Sequence, residues 1–169
     1  MKKIILKLKG VLIIILFCGM YSFNKSSLLN NPSFGSVTAT VNGVSYKANA
    51  VAAMSKSKGR ISITAVQTSP AQEMMFAFKG TATGTYPLNA TATTLGNAAL
   101  FYDGAMGGKS TVSYWTDKNH TGTITISKLD IAGKLMSGSF SFTAVQAEPL
   151  NSTATVSVTS GVFTDLPVR

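Results

Sequence analysis

The chain has 169 residues, of which 45% are apolar and only 12% charged, with a formal net charge of +9. That length holds a leader and one domain with a complete core and leaves little room for a second domain. Removing Lys2, Lys3, Lys7 and Lys9 at the start lowers the charge to about +5. The low charged fraction argues against a helical protein, whose surface would be finished with Glu, Lys and Arg. It fits sheets whose outer face is coated with Thr and Ser.

Residues 1–22 are read as a signal peptide or N-terminal membrane anchor. A basic start leads into the apolar run at 11–17, which is the length of an export-signal core and short of the roughly 20 residues that span a bilayer. Cys18, the only cysteine, stands where a bacterial lipoprotein carries its acylated residue. Phe17 departs from the small residue that normally precedes such a cysteine. Cleavage near 19–22 and an uncleaved anchor are the competing readings. On each of them the folded domain contains no disulfide. Residues 23–36, rich in Ser and Asn, are read as a flexible tether, and 37–169 as one all-β domain.

In that domain apolar residues alternate with Thr and Ser at period two, the pattern of a strand with one buried face. Val37, Ala39 and Val41 form the first run, Asn42-Gly43 a two-residue hairpin turn, and Val44, Tyr46, Ala48 and Ala50 the returning strand. Lys56, Lys58 and Arg60 surround Gly59 in a solvated hairpin tip. Runs at 61–65, 74–79 and 84–88 follow, Pro87 suiting the last to an edge or a strand end. Residues 89–99 are read as a loop with room for a helical turn. Segments 98–103 and 111–116 are strands joined by a Gly-rich tip at 104–108, and runs at 123–127, 139–144 and 155–159 complete the series. The expected fold is a single antiparallel β-sandwich or closed β-barrel of about nine or ten strands, largely meander-connected.

The inventory of reactive groups is thin. His120 is the only histidine and sits in a polar turn sequence, and no Gly-x-Ser-x-Gly elbow or Walker-type loop occurs. Asp103 and Asp117 are the two acids best placed to form a glycan-hydrolase pair at one end of the fold, a distant alternative. No cofactor or metal site is expected, and nucleic-acid binding is disfavoured because no array of stacking aromatics accompanies the cations. The binding candidates are the aromatics Tyr86, Tyr102, Tyr114 and Trp115. Alternation points Val112 and Tyr114 to one side of their strand and Trp115 to the other.

Val-Asn-Gly at 41–43, Gly-Thr-Tyr-Pro-Leu at 84–88, Gly-Thr-Ile-Thr-Ile-Ser-Lys-Leu-Asp at 122–130, Ser-Gly-Ser-Phe-Ser-Phe-Thr-Ala at 137–144 and Gly-Val-Phe-Thr-Asp-Leu-Pro-Val at 161–168 form a wider pattern. Together they resemble a family of exported Bacteroidetes β-proteins of unknown function, many of them lipoproteins. The resemblance implies an exported domain in the periplasm, on the outer membrane or outside the cell, and supplies no catalytic residues. The leading expectation is a noncatalytic envelope or cell-surface binding module. Its partner would be a small apolar ligand, a glycan or an envelope protein. The alternative is a structural or assembly protein acting through protein contacts.

Overall fold

A computed structural model describes residues 34–55, 59–90, 96–104, 110–149 and 151–169. The described structure contains ten strands: β1 (Gly35–Val41), β2 (Val44–Ser55), β3 (Arg60–Gln67), β4 (Gln72–Lys79), β5 (Gly84–Leu88), β6 (Ala98–Asp103), β7 (Val112–Trp115), β8 (Gly122–Asp130), β9 (Leu135–Gln146) and β10 (Thr155–Pro167). The proposed leader, Cys18, the tether up to residue 33, Lys56, Lys58, the helical turn and most of the Gly-rich tip lie outside the described residues. β1 begins two residues before the expected domain start at Val37.

Of the two expected architectures the chain adopts the barrel. Eight antiparallel strands close in the order β10-β1-β2-β3-β4-β6-β7-β9 and back to β10, and β8 and β5 extend from β9. The junction is β9, a strand of twelve residues. One of its edges pairs with β10 from Leu135 to Val145. The other is shared: β8 takes Leu135 to Phe142, and β7 takes only Val145 and Gln146. β5 is thereby displaced from the meander and pairs with β8 instead of β4.

The hairpin at the start of the domain forms as its residue types require. Asn42 and Gly43 have φ of 47° and 83°, the positive pair that a type I′ turn needs. Asn42 also pins the tip to β10, its N–H donating to Ser157 O at 2.9 Å and its Oδ1 accepting from Ser157 N at 2.8 Å. The simple alternation of 155–159 ends where β10 bulges between Val158 and Gly161 and again between Phe163 and Leu166. Bulges bend a strand and reset which residues face inward, so β10 runs on to Pro167 beyond the point where period two fails.

Inward-facing residues from all strands except β7 make one buried cluster, with Tyr114 of β7 packed half-buried against it. The Phe76 ring lies 4.7 Å from Phe140 and 5.8 Å from Phe142, and Phe140 stacks on Phe163 at 6.4 Å. Two glycines make space for these rings. A Cβ on Gly138 would collide with Phe163 and with Thr125 O, and one on Gly161 would collide with the Phe140 ring. Side chains therefore fill the centre of the barrel.

Candidate functional site

Three elements meet at one end of the barrel and leave it open. The last residues of β2 supply Met54 and Ser55, the end of β8 and its turn into β9 supply Leu129, Asp130, Ile131 and Lys134, and the chain after β10 supplies Val168 and Arg169. They surround a cavity of about 470 Å³. Backbone hydrogen bonds hold its walls in place. Met54 N donates to Arg169 O at 2.9 Å, Arg169 N to Ala52 O at 3.0 Å, and Val168 N to Lys134 O at 2.8 Å.

The floor of this mouth is apolar and continuous with the core, because Met54, Leu129 and Val168 pack half-buried against it. Its rim carries Ile131, 52% exposed although it is a large aliphatic side chain, beside Lys134 and Arg169. The one side-chain carboxylate lining it, Asp130, accepts a hydrogen bond from Gly133 N at 2.7 Å and so serves the turn. The Arg169 guanidinium lies 5.7 Å from the ring centroid of Phe34, a cation–π contact with a residue that packs on the outside of the barrel against Val51 and Val66. An apolar floor under two cations suits an apolar chain ending in an anionic head, the apolar part buried and the charge met at the rim.

A second cavity, of about 410 Å³, lies beside the β3–β4 turn among Lys47, Ala48, Asn49, Val66, Gln67, Thr68 and Ser69. Its main polar side chain is already engaged: Gln67 Oε1 accepts from Lys47 N at 2.8 Å and Nε2 donates to Pro70 O at 3.3 Å.

The four aromatic candidates do not converge. Tyr114 faces the core, 6.2 Å from the Phe101 ring. Trp115 faces out, opposite Leu100 and Val145, and Tyr102 faces out opposite Glu73 and Ser113. Tyr86 lies on β5 against Phe78, with its hydroxyl donating to Ala82 O at 2.7 Å. Tyr102 and Trp115 thus share an outer face, while Tyr86 and Tyr114 pack inward from different elements.

Asp103 and Asp117 sit at opposite ends of the β6–β7 hairpin, because Asp103 pairs with Val112 while Asp117 follows Trp115. Roughly 17 Å of strand separates them at about 3.3 Å per residue, against the roughly 5–9.5 Å between paired glycosidase carboxylates. Asp103 accepts a hydrogen bond from Gln72 Nε2 at 3.0 Å. Asp117 Oδ1 accepts from the backbone N–H groups of Asn119 and His120 at 2.8 and 2.6 Å and lies 2.9 Å from His120 Nδ1. Burial works against the Asp117 charge, but those N–H groups and the His120 ring together hold its carboxyl below the usual range. This is the geometry of a capped turn. Arg60 donates to Gly96 O at 2.9 Å. No group of three metal-ligating side chains occurs among the described residues.

Sequence reasoning missed the mouth because its residues come from three separated segments. The one local signal was Ile131 in an Asp-Ile-Ala-Gly-Lys turn, where an aliphatic residue has no strand to pack on. No curated protein and no solved structure matches the chain. A family model matches residues 30–167, which include all ten strands, and by that match the chain belongs to the DUF6252 family, a domain of unknown function.

Proposed function

We propose that this chain is a noncatalytic binding module of the bacterial envelope that holds a small apolar ligand with an anionic head at the open barrel mouth. The observation that carries this reading is the mouth itself, an apolar floor joined to the core and rimmed by Ile131, Lys134 and Arg169. The filled barrel centre supports it further by leaving a ligand to the end of the barrel instead of the interior. The export-type leader supports placement in the envelope, with lipidation at Cys18 as the anchor. The turn and strand-end roles of Asp103, Asp117 and His120 support a binding role over catalysis.

The test is a titration with two probes that share a dodecyl chain, dodecyl phosphate and neutral dodecyl maltoside, followed by amide chemical shifts. The reading expects saturable shifts at Met54, Leu129, Ile131 and Val168 with the phosphate and much weaker ones with the maltoside. Equal shifts with both probes would remove the role of the two cations. Shifts confined to other faces would remove the site.

A further inference from the structure

The outer surface of the barrel has two unlike walls. On β1 and β10 the outward residues Ser36, Thr38, Ser157 and Val162 are exposed, as expected of a hydroxyl-coated face. On β2, β3, β4, β6, β7 and the end of β9 the register lines up a different set. One row runs Val51, Thr64, Met75, Leu100, Trp115, Val145, and the next runs Ala53, Ser62, Ala77, Ala98. These side chains point away from the core cluster, yet Val51 is 2% exposed, Leu100 4% and Ala98 1%. Directly opposed residues in antiparallel strands share a face, so the rows form one contiguous wall that is apolar except at Ser62 and Thr64.

Phe34 packs over one corner of this wall, against Val51 and Val66, and it is the residue through which the chain arrives at β1. Thirty-three residues precede it. We propose that the wall is the docking face for residues 21–33, so that the stretch read as a tether is held against the barrel and continues the packing that Phe34 begins. The segment carries Tyr21, Phe23, Leu28 and Leu29 between polar residues, enough apolar groups to cover the rows. Its reach suffices. Thirteen residues extend up to about 43 Å, while the five strands from β2 to β7 are only about 19 Å across.

Docking of this kind would make the N-terminal connection rigid, setting the orientation of the mouth relative to whatever holds the N-terminus. It rests on the wall and on Phe34, independently of any ligand.

The experiment places Leu28→Cys in the full-length chain together with Val66→Cys, Met75→Cys or Leu100→Cys on the wall. Thr38→Cys and Val162→Cys, cross-strand partners on the opposite wall, serve as controls. Each pair is treated with a short bis-maleimide, and the linked peptides are identified by mass spectrometry, which separates links to Cys18. The proposal expects intrachain links to the wall several-fold above those to the controls. Equal links to both walls, or none to either, would overturn it. Predominant links between wall cysteines of two chains would also overturn it by assigning the wall to a second copy. A second measurement needs no cysteine. Leu28→Ser with Leu29→Ser should raise acrylamide quenching of Trp115, the only tryptophan, with unfolding still cooperative. Unchanged quenching would count against the proposal.

Discussion

Thr116 is fully buried, and its hydroxyl is placed at the point where the barrel wall divides. Its Oγ1 accepts from Ala99 N and donates to Ala90 O, both at 3.0 Å, tying β6 to the chain after β5. Thr116→Val keeps the shape and removes both bonds, leaving a buried N–H without its acceptor. The expected loss is about 1–3 kcal/mol, read as a lower urea midpoint with an unchanged slope. Thr38→Val, on an exposed position, should stay within about 0.5 kcal/mol of the parent. Asp117 makes a pH prediction. Its carboxyl is held below the ordinary range, so its contribution is present above the unfolded value of about 4 and disappears as pH falls through the folded value. Asp117→Asn should therefore shrink the drop in thermal midpoint between pH 5 and pH 2.5. An unchanged drop would show that the turn contributes nothing to acid sensitivity.

At the scale of elements, glycines and bulges decide how the long strands pair. Gly161→Ala drives a methyl into the Phe140 ring and should cost about 1–3 kcal/mol through overpacking. In a Phe140→Leu background the same change should cost less, because the smaller side chain can yield. Equal costs in both backgrounds would show that the ring is not the obstacle. The same features explain what the sequence revealed and what it concealed. Val37, Ala39 and Val41 followed by Asn42-Gly43 could be read as a hairpin because alternation and turn chemistry agree locally. The continuation of β10 past Ser160 could not, since two bulges interrupt the alternation. The sharing of one edge of β9 between β8 and β7 is a long-range pairing, and no local pattern encodes it. Trp115 and Tyr114 were correctly placed on opposite faces. The mouth stayed hidden because its floor is assembled from Met54, Leu129 and Val168, each an ordinary strand-end residue in its own segment.

At the scale of the whole molecule, the barrel is packed with side chains through its centre, the proposed ligand site lies at one open end, and the proposed docking face for the N-terminal stretch lies on the outer wall. The proposed function stands or falls on a ligand held beneath Ile131, Lys134 and Arg169. Native mass spectrometry of the protein purified gently from its own host tests this most directly, since it reads the processed N-terminus, any lipid on Cys18 and any retained molecule together. A dissociable anionic species is expected on the parent protein and is lost from Ile131→Asp combined with Lys134→Glu. A parent that carries no ligand, or a variant that retains one equally well, would contradict it.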